Sequence, residues 1–199
     1  DGTFHFENLA LDSKLTFRVT VNDGRYTPSV DLSAEDDWTG ITLTIYDSTK
    51  SLEHITVGSY VMMIPSIDAR LREAGVLTVV NVSNTGDLVW VPDIRDPNLT
   101  GLDLLRFNLP TGFTDLSVES ELPAGNILEI STGFAMTNPI PPGQASVLMS
   151  YVKSYEGDGF DFDLKLPYGA GDVRILLPED GGLITSNMLS RSGSVSVCL

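Results

Sequence analysis

The stretch Phe-Asn-Leu-Pro-Thr-Gly-Phe-Thr-Asp-Leu-Ser-Val at residues 107–118 has a counterpart at residues 164–175, Leu-Lys-Leu-Pro-Tyr-Gly-Ala-Gly-Asp-Val-Arg-Ile. Both copies follow the pattern apolar-x-apolar-Pro-x-Gly-x-x-Asp-apolar-x-apolar. Proline removes a ladder donor and ends the first run, glycine permits a positive φ, and aspartate can accept local amide hydrogen bonds as the second run opens. Each copy therefore predicts a strand–turn–strand unit. Two copies are too few for a solenoid, so they indicate either a recurring local solution or a distant internal duplication.

Alternation of apolar and polar residues, the signature of half-buried strands, continues through most of the chain. Turns rich in Gly, Pro, Asn and Asp separate the runs. Short strands at this spacing are typical of an all-β sandwich rather than an α/β fold. The predicted strands are 3–6, 15–21, 41–46, 55–63, 77–82, 104–109, 116–120, 127–131, 146–153, 160–166 and 173–177.

One segment, residues 66–74, is predicted to form a short helix or turn, with Ser66 as its N-cap and Gly75 as its end. A domain boundary is predicted near residues 50–53, where closely spaced short strands give way to a long apolar segment. The fold prediction is therefore all-β, with two consecutive antiparallel β-sandwich modules at residues 1–52 and 53–199.

Composition and charge narrow the classes of function. The chain has 199 residues, 42% of them hydrophobic, with 27 acidic and 12 basic residues and a net charge of −15. Phosphate binding needs clustered Lys and Arg, but here the closest basic pair is Arg70 and Arg72. Nucleic-acid binding and polybasic lipid contact are not expected. The charge is typical of a soluble surface or of one that complements a basic partner.

The acidic stretch at residues 156–163 contains the best metal candidates, Asp158, Asp161 and Asp163. Carboxylate oxygens suit calcium, but the spacing is not that of an EF-hand loop. On a strand, Asp161 and Asp163 share one face while the neighbouring apolar residues share the other. The favoured interpretation is a solvated polar face, with calcium as the alternative.

No catalytic or cofactor motif is found: the sequence has no Gly-x-Ser-x-Gly, His-Glu-x-x-His, phosphate-binding glycine loop or Cys-x-x-Cys. His5 and His54 have no sequence neighbour that suggests a triad. Cys198 is the single cysteine, and it is interpreted as a small strand hydrophobe. The chain is expected to be non-enzymatic and to need no cofactor.

Two turns are predicted to present partner contacts. Tyr168 lies in a Pro-Tyr-Gly turn, and Ile140 lies in the stiff turn Asn-Pro-Ile-Pro-Pro-Gly at residues 138–143. Both side chains are expected to be exposed. Apolar groups held on rigid turns lose little entropy on binding, so Ile140 and Tyr168 are candidate contacts.

The opening Asp-Gly-Thr-Phe-His-Phe-Glu-Asn-Leu (residues 1–9), followed by Leu-Thr-Phe-Arg-Val-Thr-Val (residues 15–21), resembles the second half of a carboxypeptidase-regulatory-like (prealbumin-like) module. The resemblance covers residues 1 to about 50. It implies a small non-catalytic sandwich whose first strands precede Asp1. Both ends of the chain are expected to belong to a longer protein, with any signal peptide or anchor outside residues 1–199.

Residues 53–185 are similar to an immunoglobulin-like domain of extracytoplasmic bacterial envelope proteins. Leu-Arg-Phe-Asn-Leu-Pro-Thr-Gly (105–112), Gly-Phe-Ala (133–135), Pro-Pro-Gly (141–143) and Leu-Pro-Tyr (166–168) carry the resemblance. It implies an accessory role in membrane electron-transfer machinery of the alternative complex III type. Haem is not implied, because the chain lacks Cys-x-x-Cys-His.

These observations together predict an extracytoplasmic, membrane-associated interaction subunit that binds protein partners in a larger envelope assembly. Three alternatives remain open. The acidic loops and exposed aromatics would suit a carbohydrate- or calcium-binding module. A hydrolase site assembled across the module junction, and a surface-layer or pilus-type subunit, are the other two.

Overall fold

The computed structural model describes residues 2–9, 16–21, 26–33, 35–93, 104–159, 163–178, 184–186 and 188–190. Within these ranges the protein is all-β and contains no helix, which confirms the predicted class. The described part of the chain accordingly offers no helix long and apolar enough to span a membrane. The strands are β1 Thr16–Thr20, β2 Ser29–Ser33, β3 Ser48–Thr49, β4 Ile55–Asp68, β5 Glu73–Asn84, β6 Val89–Trp90, β7 Leu105–Asn108, β8 Phe113–Ser120, β9 Ile127–Ile130, β10 Gly133–Met136, β11 Gly143–Ser154 and β12 Asp172–Leu176.

The main body consists of a five-stranded sheet in the order β12-β4-β5-β11-β8 and a three-stranded sheet in the order β7-β10-β9. One apolar cluster contains buried side chains of both sheets, including Val80, Val147, Phe107 and Phe134. Burial alternates along β5 and β11 as a sheet with one buried face requires. This arrangement is consistent with a β-sandwich.

Strand β4 keeps its apolar residues buried although the alternation of buried and exposed positions shifts partway along the strand. Ile55 and Val57 are buried, and after a register shift between Val57 and Ser59 the buried positions become Tyr60 and Met62. An extra residue in one strand is the definition of a β-bulge, and it re-aims the side chains that follow. The bulge also receives the second copy of the repeated motif, because the Gly171 N–H donates to the Val57 carbonyl at 3.0 Å.

The two copies of the motif lead to opposite margins of the five-stranded sheet. The first joins β7 of the small sheet to β8, and the second leads into β12. The predicted positive φ is confirmed at both turn glycines, with 75° at Gly112 and 66° at Gly169. The motif aspartates differ from expectation: Asp115 itself adopts a φ of 54°, and Asp172 forms an ion pair with Arg174 at 2.7 Å.

The predicted helix at residues 66–74 is wrong, because β4 continues to Asp68 and β5 begins at Glu73. The Asp68 carboxylate accepts hydrogen bonds from the amides of Arg70 and Leu71, at 2.8 and 2.9 Å, and thereby holds a tight turn. Ile67, Leu71 and Ala74 have helical spacing, but Ile67 and Leu71 are exposed and Ala74 is buried, so they form no common buried face. The turn chemistry prevails over the weak helical pattern.

The N-terminal region contains one antiparallel hairpin, β1–β2, with a cross-strand Arg18–Asp31 ion pair at 2.7 and 2.8 Å. The predicted strands at residues 3–6 and 41–46 are wrong, since neither segment joins a sheet. Instead, the Tyr46 amide donates to the hydroxyl of the buried Tyr26 at 2.9 Å. A side-chain contact replaces the expected ladder.

Strands β3 and β6 pair in parallel, so residues next to the predicted 50–53 boundary contact the larger unit. The Val89 amide donates to the Asp47 carbonyl at 2.8 Å, and the indole of the fully buried Trp90 donates to the Lys50 carbonyl at 3.2 Å. Residues 47–50 therefore contribute contacts to the body that follows them.

Candidate functional site

The acidic stretch borders an open cleft of about 620 Å³. Most of the residues that line it are polar or charged, with charges of both signs. The lining residues are Asn108, Leu109, Pro110, Thr111, Thr132, Lys153, Ser154, Tyr155, Glu156, Gly159, Asp163 and Lys165. Asp163 lies 3.6 Å from Lys165, and both side chains are largely exposed. The cleft is solvated, and an exposed ion pair of this kind contributes little to stability.

The calcium candidates are not assembled into a site among the described residues. Asp158 and Asp163 are described, but Asp161 lies outside the described residues, as do the other two residues of 160–162. The rest of the predicted strand at 160–166, residues 163–166, joins no sheet. No group of three or more His, Cys, Asp or Glu side chains suited to a metal occurs in the part of the chain that the structure describes. Cys198 also lies outside the described residues.

The prediction that Ile140 is exposed is wrong. Its side chain is 1% exposed, because it forms an antiparallel bridge with Trp90 through two hydrogen bonds of 2.9 and 3.0 Å. The buried Asn84 side chain donates to the Ile140 carbonyl at 2.8 Å. The stiffness expected from the prolines serves packing here, so Ile140 is not accessible to a partner.

Tyr168 is half-buried rather than exposed, and its hydroxyl closes one edge of the small sheet. It donates to the Leu104 carbonyl at 2.7 Å and accepts from the Arg106 amide at 3.2 Å. These two backbone groups point away from β10, where a neighbouring strand would otherwise bind them. Burial raises the pKa of Tyr168, and the hydrogen bond from the Arg106 amide partly offsets that rise. Tyr168 thus acts as a one-residue substitute for a strand along β7.

The opposite edge of the same sheet, β9, is open. All four of its side chains are exposed, with Ile127 at 39%, Leu128 at 42% and Ile130 at 39%. Glu129 supplies its one charge, and in the described part of the chain no strand lies beyond β9. Exposed apolar residues on an edge strand create a template for pairing with another chain.

The outward backbone groups of β9 can be assigned from its register. The Thr137 amide donates to the Asn126 carbonyl at 3.0 Å, and β9 pairs with β10 in continuous register from that point. Because antiparallel strands alternate inward and outward backbone groups, the N–H and C=O of Ile127 and Glu129 point away from β10. Sequence analysis predicted this strand but missed its role, because alternation alone does not distinguish an edge from a central strand.

The other two margins of the sheets are protected in the ways natural edges usually are. Strand β8 exposes Asp115 and Glu119, and its register with β11 is broken between Ser150 and Val152. Strand β12 carries the Asp172–Arg174 ion pair. Of the four margins of the two main sheets, as far as the structure describes them, β9 combines free backbone groups with apolar side chains.

Two tyrosines lie in the core beneath the large sheet. Tyr60 and Tyr151 are each 2% exposed. Burial raises the pKa of Tyr60 to about 12, although the Thr78 hydroxyl lowers it in part. Burial raises the pKa of Tyr151 as well, and Tyr60 adds to this rise. Among the described residues, the Tyr151 hydroxyl finds no hydrogen-bond partner, and the Thr78 hydroxyl none of good geometry.

Comparison with known proteins adds little to this geometry. No protein-family model and no curated protein matches the chain. Solved structures that match in part include an M1 zinc metallopeptidase from Deinococcus radiodurans, at 12% identity and a TM-score of 0.34, covering 53% of this chain and 22% of that one. A two-domain M1 zinc metallopeptidase E323A mutant bound to L-tryptophan matches at 11% identity, also with a TM-score of 0.34, over 54% and 22%. The matched region spans about a fifth of those chains, and so distant a likeness carries no functional argument.

Proposed function

We propose that this chain is a non-enzymatic interaction subunit that docks on a larger extracytoplasmic assembly, with strand β9 as its contact point. The observation that carries the proposal is the exposure of Ile127, Leu128 and Ile130 on a strand whose outward backbone groups pair with no other strand among the described residues. Exposed apolar side chains on a pairing edge are costly in a protein that works alone, since they invite aggregation. A bound partner would remove that cost.

The rest of the body supports a scaffold role. β9 is held in place by β10, whose four residues are all buried and which also pairs with β7. Phe134 of β10 stacks on Phe107 with ring centroids 5.0 Å apart. A contact strand mounted on a packed core loses little conformational entropy on binding.

The test is extraction of the tagged protein from its native host in mild detergent, followed by native size separation. We expect migration in a complex several times larger than the protein alone. The variant Ile127→Asp/Ile130→Asp should shift the protein toward its free size, whereas Leu71→Asp, which changes an exposed residue of the turn between β4 and β5, should not. Migration of the unaltered protein alone would contradict the proposal.

A further inference from the structure

We infer that β9 binds its partner by strand addition, and that the partner contributes an extended apolar–basic–apolar segment as a fourth strand of the β7-β10-β9 sheet. This inference rests on the proposed function and specifies the chemistry of the partner. Strand addition uses main-chain hydrogen bonds for affinity and alternate side chains for specificity. Both kinds of contact can be assigned on β9.

The main-chain contacts are the N–H and C=O of Ile127 and Glu129, which the β10 register directs outward. Leu128 and Ile130 direct theirs toward β10. An added strand would therefore satisfy four backbone groups without disturbing the existing ladder. At the opposite margin of the sheet, the Tyr168 hydroxyl binds the equivalent outward backbone groups of β7. The fold itself thus provides a hydrogen-bond partner for such groups there.

The side chains of β9 fall on two faces. Ile127 and Glu129 lie opposite Met136 and Phe134, on the face turned to the core, while Leu128 lies opposite Ala135 on the other face. Residues directly opposite one another on neighbouring strands interact most strongly. The partner residue facing Glu129 should therefore be Lys or Arg, and its two neighbours should be apolar to face Leu128 and Ile130.

Charge selects a basic partner over a second copy of this chain. The chain carries a net charge of −15, so two copies repel each other at long range. Pairing of two β9 strands with Glu129 opposite Glu129 would also place like charges face to face, which is destabilising. A basic segment is attracted both by the net negative charge of the chain and by Glu129.

The experiment uses the whole chain and two synthetic peptides at millimolar concentration, acetyl-Ser-Thr-Val-Lys-Val-Thr-Ser-amide and its analogue with Glu in place of Lys. Amide hydrogen exchange is followed by NMR. We expect the Lys peptide to slow exchange at Ile127 and Glu129 while the already bonded amides of Leu128 and Ile130 change little. The Lys peptide should bind about two- to fivefold more tightly than the Glu peptide, as expected for one cross-strand charge pair.

Two variants and one control sharpen the test. Glu129→Lys should reverse the preference between the peptides. Glu129→Pro removes an outward N–H, a change that edge strands tolerate, and should abolish binding of both peptides. Glu119→Lys, the same charge change on the protected β8 margin, should alter neither result.

Three results would overturn the inference: no added protection at Ile127 and Glu129, an unchanged peptide preference in Glu129→Lys, or a dimer in sedimentation that Glu129→Pro dissociates. The last would assign the edge to a second copy. If the detergent-extracted complex forms normally with Glu129→Pro but is lost in Ile127→Asp/Ile130→Asp, strand addition is also overturned. In that case β9 contacts its partner through side chains, and the proposed function survives. If the unaltered protein migrates alone, the proposed function itself fails.

Discussion

The two margins of the three-stranded sheet differ in how their backbone groups are satisfied. Along β7, the hydroxyl of Tyr168 binds the Leu104 carbonyl and the Arg106 amide, and Leu105 and Phe107 are buried. Along β9, the outward groups have no such partner among the described residues, and the side chains of all four residues are exposed. One sheet thus has a closed edge that supports the fold and an open edge suited to binding. The contrast locates the proposed interaction surface more sharply than exposure alone.

The largest effect is expected from Gly133→Ala, which disturbs both edges at once. Gly133 pairs with Asn108 of β7 and Ile130 of β9 at a φ of 137°, and an added Cβ would overlap the Phe107 carbonyl oxygen. Backbone strain and overpacking together should lower the free energy of unfolding by about 2–6 kcal/mol. Urea denaturation followed by circular dichroism measures this change.

The matched control is Gly143→Ala. Gly143 also has a positive φ, 118°, but an added Cβ there would meet nothing within 4 Å. Its cost should be limited to backbone strain, about 1–3 kcal/mol. Equal losses in the two variants would show that the close approach of β10 to β7 does not matter.

Alkaline pH should weaken the core and the closed edge but not the open one. The pKa of Tyr60 is about 12 in the folded chain against about 10 when unfolded. Above pH 10 the unfolded chain has lost this proton while the folded chain retains it, so stability falls as pH rises from about 10 through 12. The loss from Tyr60 alone should reach about 3 kcal/mol.

Urea denaturation at pH 8, 10 and 11.5 tests this dependence. Tyr60→Phe should flatten part of it and Tyr151→Phe another part, because burial raises the pKa of Tyr151 as well. The pKa of Tyr168 is also raised, so its contribution to stability also falls as the pH rises. Tyr168→Phe should therefore flatten a smaller part of the pH dependence. If the free energy of unfolding of the unaltered protein stays constant above pH 10, the burial of Tyr60 is contradicted.

Tyr168→Phe should open the β7 edge while keeping the ring in place. The change leaves the Leu104 carbonyl and the Arg106 amide without their shared partner, at a cost of about 1–3 kcal/mol. Amide exchange at Arg106 should accelerate, and exchange at Ile127 should not. Tyr46→Phe, which removes the hydroxyl of another partly buried tyrosine, serves as the control. If Arg106 exchanges at the same rate in both variants, Tyr168 is not what closes this edge.

The smallest effect is expected from Leu128→Thr on the open edge. Leu128 is 42% exposed, and threonine suits a strand, so stability should change by no more than about 0.5 kcal/mol. Self-association measured by light scattering at high concentration should fall, since one apolar group leaves the edge. A loss of stability comparable to that of Tyr168→Phe would show that β9 is covered rather than open.

Sequence reasoning recovered the class of fold and most strands of the main body, because alternation and turn residues report local structure directly. It failed where a side chain replaces a ladder bond, as at Tyr26 for residues 41–46, since such contacts have no periodic signature. It also missed Gly133–Met136, where all four residues are buried and alternation is lost. Which strands lie at margins depends on pairings between residues far apart in the chain, and alternation does not encode them.

The candidate residues show the same limit. Ile140 and Tyr168 were selected because prolines and glycines predict exposed turns. Instead, the Tyr168 hydroxyl binds distant backbone groups, and the Ile140 side chain is buried while its backbone pairs with Trp90. The apolar residues of β9 resemble those of any half-buried strand. Only the β10 register distinguishes them as an edge.

The β7 edge can be closed only after Tyr168 has been synthesised. Tyr168 lies 64 residues after Leu104, and at about 5–20 residues per second a ribosome needs roughly 3–13 s to add the residues between them. Strand β10 ends at Met136, so while residues 137–168 are synthesised the nascent chain can carry the small sheet with neither margin covered. A chaperone that binds extended apolar strands would be useful for just those seconds, and synthesis of residue 168 would end the need for it at β7 but not at β9.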